Sequence, residues 1–344
     1  MISVIIQFMK GLHFSLSRNN VYKILGAIVI IMFLCTSIFY FSEKGNIDGL
    51  TYWDSLWWSF VTVTTVGYGD FFPVSSLGRV MAAFLMFAGI GAFGFATAAI
   101  ASAFVDMNLK REMGLMKVNL SNHIIIVGWN KRAKNIVEEL TVEVPNKDIV
   151  VIDNIERLES EFEKLHFVRG KGTEDSVLEK ACLKKASLAI VLADDKCVDT
   201  ETADSHSVLV SLAINNINPD IHLVAEVLNE VHVPHFKRAK VNEVFVSSKI
   251  GSRFLTRGAL YPKVSHAINE LLTNSTGSEF YEKKLSDAYH GTKFGQLVEK
   301  FTKNNIGIPI GVANDETTNV NPGADYVIKK GDILIYIGKQ AYND

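Results

Sequence analysis

From Val80 to Val105 the chain reads "VMAAFLMFAGIGAFGFATAAIASAFV", without a single charged residue. At 1.5 Å per residue a helix of this length exceeds the ~30 Å hydrocarbon core of a bilayer, so the run predicts a transmembrane helix. Its frequent Gly and Ala suit close helix approach in lipid. A second apolar run, "VYKILGAIVIIMFLCTSIFYF" from Val21 to Phe41, carries only Lys23. Its length and the poor cleavage site in "SIFYFSEKGN" predict another span rather than a cleaved leader. Lys10, Arg18 and Lys23 flank the first run and Lys110 and Arg111 follow the second, while Glu43, Asp48 and Asp54 outweigh Lys44 between them. This bias predicts a two-span, multi-pass protein of the cell membrane with both termini in the cytoplasm.

Between the runs lies "GLTYWDSLWWSFVTVTTVGYGDFFP", too short after Trp53 for a third span. A re-entrant helix over Tyr52–Thr64 followed by non-helical backbone fits it better. Irregular backbone at membrane depth persists only where protein or a water-filled path satisfies its polar groups. In "TTVGYGD", Thr64–Asp70, the side chains offer few donors or acceptors. Carbonyl oxygens of Thr65, Val66, Gly67 and Tyr68 aimed at a dehydrated cation would make the backbone itself the ligand, with Gly67 and Gly69 permitting the required dihedrals. One loop supplies a quarter of each oxygen cage, and no second copy exists in the chain, so four identical subunits are implied. In the second run Gly89 and Gly91 interrupt a helix-forming pattern, each costing about 1 kcal/mol relative to alanine. Gly89 is therefore a candidate bend point, with close helix packing the other reading for it and for Gly94.

The rest of the chain has soluble α/β character. Its 344 residues leave room for two or three domains, and a mean hydropathy of +0.17 fits a protein only partly in lipid. A formal net charge of −2 argues against nucleic-acid binding. Cys35, Cys182 and Cys197 have no metal-like spacing. "NHIIIVGWNKRAKNIVEEL" reads as strand, glycine turn and helix. "DIVVID", "LHFVRG", "ASLAIVLAD", "IHLVAEVLN" and "NEVFVSS" continue the strands, with helices expected at Glu174–Lys185 and Thr200–Asn215. This alternation predicts a Rossmann-like doubly wound parallel sheet. A helical connection, Gly251–Asn274, and a small α+β module ending in "GDILIYIGK" should follow. The expected division is an N-terminal cytoplasmic segment 1–20, a pore domain 21–108, a linker 109–120, a Rossmann-like domain 121–274 and a C-terminal module 275–344.

A dinucleotide turn uses three glycines, but here the run is Gly128-Trp129-Asn130-Lys131-Arg132-Ala133. Gly128 is in place, Ala133 substitutes for the third, and Asp153 ends the second strand where a ribose-binding acid belongs. Gly128, Asn130 and Asp153 are thus the candidate site for an adenine nucleotide, against a simpler reading of Asp153 as a helix cap. The nine histidines, among them His123, His232 and His235, form no catalytic constellation. With the phosphate turn incomplete and no acid–base set, the chain is not read as an enzyme.

"TVGYG" at Thr65–Gly69, set between two spans, resembles the selectivity filter of potassium channels residue for residue. With Gly128-Trp129 after the first strand and Met113-Gly114-Leu115 in the linker, nearly the whole chain from Val21 resembles two-transmembrane potassium channels with a C-terminal RCK (TrkA-N/TrkA-C type) domain, similar to the calcium-gated archaeal channels. The resemblance implies several roles. The hydroxyl of Thr65 lines the innermost ion site, and Asp70 bonds back to Trp57 or Trp58. Gly89 is a hinge, and the inner mouth narrows at Gly94. Glu226 belongs to a calcium site, for which Asp194 and Asp195 are the nearby acids, although Leu192 and Leu228 stand where further acids would. It implies K+ as the permeant ion and Ca2+ or another divalent cation as ligand. It also implies a homotetrameric pore in lipid above an octameric ring of RCK domains. A cyclic dinucleotide at the module after Glu279 is a further candidate. The expected function is a ligand-gated, potassium-selective channel whose RCK ring couples ligand binding to the inner helices. The alternative is an NAD(H)/ATP-sensing regulatory subunit of a potassium transport system.

Overall fold

A computed structural model describes residues 21–158, 161–273, 277–314 and 317–342. The expected N-terminal segment 1–20, with Lys10 and Arg18, lies outside the described residues, as does Asn274 at the expected boundary between residues 274 and 275. The chain divides into two compact units between Leu115 and Met116.

The first unit holds three helices: α1 (Val21–Glu43), α2 (Tyr52–Val63) and α3 (Ser76–Glu112). A capping box starts α2: Thr51 Oγ1 accepts from the Asp54 amide at 3.2 Å, and Asp54 Oδ2 accepts from the Thr51 amide at 2.9 Å. This satisfies two donors that a helix start would otherwise leave open. With 12 residues α2 is too short to cross a bilayer, as the sequence requires of a re-entrant helix. Trp58 anchors it, stacking on Phe39 of α1 with ring centroids 3.9 Å apart inside a core that includes Cys35, Leu50, Ala82 and Leu85. Thr36 donates to Ser59 across the same interface at 2.8 Å, so the buried hydroxyls satisfy each other.

Glu43 ties the ends of α1 and α3 together. Its buried carboxylate accepts from the Ser75 amide at 3.0 Å and from the Ser75 hydroxyl at 2.6 Å, while that hydroxyl caps α3 by accepting from the Gly78 amide at 3.0 Å. Gly78 leaves room for the carboxylate, which any Cβ there would strike. Helix α3 spans 37 residues and is long and apolar enough to cross a membrane. Helix α1 spans 23 residues, and its described apolar stretch is Ile28–Glu43.

The second unit opens with six parallel strands: β1 (Ile124–Val127), β2 (Ile149–Asp153), β3 (Leu165–Arg169), β4 (Leu188–Val191), β5 (His222–Val227) and β6 (Glu243–Val246). Their order is β3-β2-β1-β4-β5-β6, the doubly wound arrangement. β1 is "IIIV", buried at all four positions, because a central parallel strand is covered on both faces. One face packs Ile125 and Val127 with Val210 and Ile214; the other packs Ile124 and Ile126 with Ala133 and Val137.

The connecting helices are α4 (Lys131–Glu143), α5 (Asp175–Lys180), α6 (Thr200–Ile217) and α7 (Val233–Arg238). The expected helix over Glu174–Lys185 is shorter, because Cys182 turns left-handed at φ 55° and a 3-10 turn, Leu183–Lys185, follows. The expected connection Gly251–Asn274 begins earlier, as α8 (Ser247–Leu260) straight off β6, and Pro262 at the first turn of α9 (Pro262–Leu271) divides it. A four-stranded antiparallel sheet then forms from β7 (Glu279–Lys284), β10 (Ile333–Gly338), β8 (Ile308–Ala313) and β9 (Thr318–Val320) in that order. Helix α10 (Phe294–Lys303) lays Phe294, Leu297 and Phe301 against Leu334 and Tyr336 of β10. The protein is thus a three-helix unit followed by a Rossmann-like parallel sheet and a small antiparallel module.

His123, just before β1, is wholly buried with Nε2 2.9 Å from the Ala181 carbonyl. Burial holds its pKa below the ordinary value, against the opposing pull of Ala181 and Asp148. A histidine kept neutral in the fold contributes stability above its unfolded pKa of about 6.5, and that contribution is lost as pH falls further because the unfolded chain binds the proton more readily. The melting temperature of the purified protein should drop below about pH 6.5. His123→Gln, which keeps a donor for Ala181, should flatten that slope; an unchanged slope would remove His123 from the cause.

Candidate functional site

Past the end of α2 the backbone alternates in hand. Thr65, Gly67 and Gly69 have φ of 61°, 61° and 76°, whereas Val66 and Tyr68 between them keep negative φ. Such alternation turns successive amides to one side and carbonyls to the other, unlike a regular strand. The first three amides are satisfied locally: those of Val66 and Gly67 donate to the Val61 carbonyl at 3.1 and 3.4 Å, and that of Thr65 to the Thr62 carbonyl at 3.1 Å. Asp70 Oδ2 accepts from Trp57 Nε1 at 2.8 Å, and the Tyr68 ring lies parallel to that of Trp57 with centroids 5.9 Å apart. Of the two tryptophans offered by the sequence, Trp57 therefore meets Asp70 while Trp58 serves the core. Val66 and Tyr68 are exposed in the single chain.

Helix α3 runs unbroken through Gly89 and Gly94. Gly89 is buried, and a Cβ there would stand 3.0 Å from Val63 Cα and 3.2 Å from Val63 Cγ2, at the last turn of α2. Close packing thus explains this glycine without a bend. At Gly94 a Cβ would meet nothing within 4 Å in the single chain.

In the second unit a cleft of about 660 Å³ opens at the carboxyl ends of the strands, where the strand order reverses between β1 and β4. Gly128 (φ 99°) makes the turn after β1 and faces Leu192, whose carbonyl oxygen would be 3.4 Å from a Cβ. Asn130 caps α4, its Oδ1 accepting from the Ala133 amide at 3.0 Å. Asp153 closes the turn by accepting from the Trp129 amide at 2.6 Å through Oδ2, with Lys196 Nζ 3.7 Å from Oδ1. Gly128, Asp153, Asp194 and Lys196 all line the cleft, joined by Gly170-Lys171-Gly172-Thr173 after β3 and by His206. Sequence reasoning missed Lys171 and Lys196. For Lys171 the signal was the paired glycines around it, which the fold needs: a Cβ on Gly170 would strike Val177, and one on Gly172 would lie 2.5 Å from Val127 Cγ1.

The acids suggested for a divalent cation are otherwise engaged. Glu226, nearly buried on β5, accepts from Arg132 Nε at 3.0 Å and from the Ala193 amide at 3.1 Å through the same oxygen. The Arg132 fork also reaches Asp195 at 2.6 Å and the Ala193 carbonyl at 3.0 Å. Burial works against the guanidinium's charge, but Asp195 and Glu226 outweigh it and raise its pKa above the ordinary value. Asp194 accepts instead from the Lys196 amide at 2.9 Å. Among the described residues no group of three or more His, Cys, Asp or Glu is placed to hold a metal ion, so these three acids do not form the expected cage.

Two family models match the chain: an ion channel over residues 27–106 and a TrkA-N domain over residues 124–247. It belongs to the potassium channels that join an ion-channel pore to a TrkA-N domain. The channel is 26% identical over 315 residues to the calcium-gated potassium channel TvoK of Thermoplasma volcanium, covering 90% of this chain and 89% of that one. It is 27% identical over 316 residues to the putative potassium channel protein YugO of Bacillus subtilis, covering 91% and 94%. The human SLO3 gating ring shares its fold, with a TM-score of 0.50 and 15% identity over 63% of this chain and 44% of that one.

The contact at Gly89 separates its two roles. Gly89→Ala should press on Val63, destabilise the folded pore by about 1–3 kcal/mol through overpacking, and loosen ion selectivity by shifting the end of α2. Thermal denaturation and reversal potentials measure both. Fewer openings with stability and selectivity unchanged would favour the bend instead.

Proposed function

We propose that four copies of the chain form a potassium-selective pore whose opening is set by an adenine nucleotide bound in the TrkA-N cleft. In this reading α1 and α3 are the two spans, both termini are cytoplasmic, and Thr65, Val66, Gly67, Tyr68 and Gly69 form the filter. The alternating φ at Thr65, Gly67 and Gly69, with the amides of Thr65, Val66 and Gly67 turned back on α2, supports the filter. Carbonyls facing the opposite side can replace the hydration shell of a K+ ion when four chains surround it. The linker 109–120 would carry movement of the ring to α3, with Gly94 near the inner mouth.

The cleft carries the ligand assignment. It lies at the strand-order reversal, where open parallel sheets bind ligands, and its volume of about 660 Å³ suits a nucleotide. Asp153 Oδ1 offers an acceptor for a ribose hydroxyl, while Lys171 and Lys196 supply positive charge for phosphates. The nucleotide-sensing element of the alternative reading is therefore retained, within a chain that carries its own pore. The binding energy needed is modest: moving a gate from 1:99 to 99:1 takes about 5.5 kcal/mol, roughly 0.7 kcal/mol for each of eight RCK domains.

Potassium flux through liposomes holding the purified channel tests both halves. Gly67→Ala should abolish selective flux while tetramers still assemble, since φ of 61° suits glycine. Flux with unchanged K+ over Na+ preference would defeat the filter assignment. NAD(H), ADP or ATP should change wild-type flux, and Asp153→Ala or Lys171→Ala should weaken that response tenfold or more in midpoint, on the scale of about 1.4 kcal/mol per charged contact. Equal responses in wild type and both variants would exclude the cleft.

A further inference from the structure

The ends of β4 and β5 meet beside α4 in an arrangement that carries its own cation. We propose that Arg132 is a tethered counter-ion filling the place of a divalent cation between Glu226 and Asp195, so that gating by this channel does not depend on a metal at these acids. The reasoning starts from Glu226. A carboxylate only 7% exposed needs a positive partner as well as hydrogen bonds, and here it has Arg132 at 3.0 Å and the Ala193 amide at 3.1 Å. One guanidinium reaches three groups on two strand ends: Glu226 on β5, and the Ala193 carbonyl and Asp195 just past β4. Carbonyl and carboxylate oxygens are also the ligands a calcium ion would choose. The planar fork meets the same oxygens with directed N–H bonds and never loses its charge near neutral pH.

Two further features make the substitution complete. Leu192 and Leu228 stand beside the site in sequence and bring no oxygen from their side chains. Asp194 is drawn off by the Lys196 amide. The acids that remain, Glu226 and Asp195, have Arg132 between them, so a divalent cation could reach both only where the guanidinium is absent. Calcium gating, which the name of the relative TvoK states for that protein, is on this inference absent from the corresponding acids here. The nucleotide assignment is independent of this inference, since it rests on the neighbouring cleft.

The test uses the full channel, titrated with CaCl2 or MgCl2 against a matched KCl control and read by thermal melting and by flux. Wild type should show no shift assignable to these acids, and Glu226→Gln should not alter any divalent response. Arg132→Gln should melt lower in chelator and recover on adding Ca2+, because the acids it leaves behind are unpaired. The double substitution Arg132→Gln with Glu226→Gln should regain most of the wild-type melting temperature without metal and lose the Ca2+ response. Wild-type stabilisation by Ca2+ that disappears in Glu226→Gln would overturn the proposal. So would an Arg132→Gln channel that is indifferent to Ca2+. If Arg132→Gln does not fold, the double variant decides: recovery of a folded channel supports the counter-ion role, and failure of both overturns it.

Discussion

A lipid bilayer has no water to accept from a stray amide, and that constraint shapes the first hundred residues of this channel. The backbone at Thr65–Gly69 leaves the helical path, so its donors need acceptors close at hand. The last turn of α2 provides them through Val61 and Thr62, and the Trp57–Asp70 bond braces the far end. The rest of the unit positions α2: Trp58 on Phe39, Thr36 to Ser59, and Gly89 against Val63. A helix too short to span is thus held against the two longer ones.

The second unit answers a different electrostatic demand. Its strands end together at one edge, so side chains from β1, β2, β4 and β5 crowd into a small volume. Two arrangements share that edge. In one, Asp153 and Lys196 stand around an open cleft; in the other, Arg132, Glu226 and Asp195 close on each other. The open arrangement can take a ligand, while the closed one already holds its charge balance.

Much of this was legible in the sequence. Uncharged runs gave the spanning helix, β-branched runs separated by helical patterns gave the parallel sheet, and "TVGYG" between the apolar runs gave the irregular loop. These signals are local in the chain and repeat with fixed periods. What escaped was set by contacts between distant positions. Nothing near Arg132 indicates that Glu226, 94 residues away, will sit 3.0 Å from it. Gly89 reads as a hinge or a packing residue with equal ease until Val63 is placed beside it. Glu43 looked like a loop acid counted for charge bias, yet it is wholly buried, because Ser75 comes to it from 32 residues along. Asp70 could have met either tryptophan, and only the rotation of α2 decides which.

The buried clamp of Glu43 on Ser75 also has a mechanical meaning. It fixes the first turn of α3 to the end of α1, and the 37 residues beyond it run on as one unbroken helix. At 1.5 Å per residue that is a rod of about 55 Å. Held at one end, such a rod is a lever: each degree of tilt about the clamp carries the far end roughly 1 Å, on that rise per residue. Gly89, about 20 Å along the rod, moves roughly a third as far for the same tilt, so its contact is disturbed less than the end at Glu112.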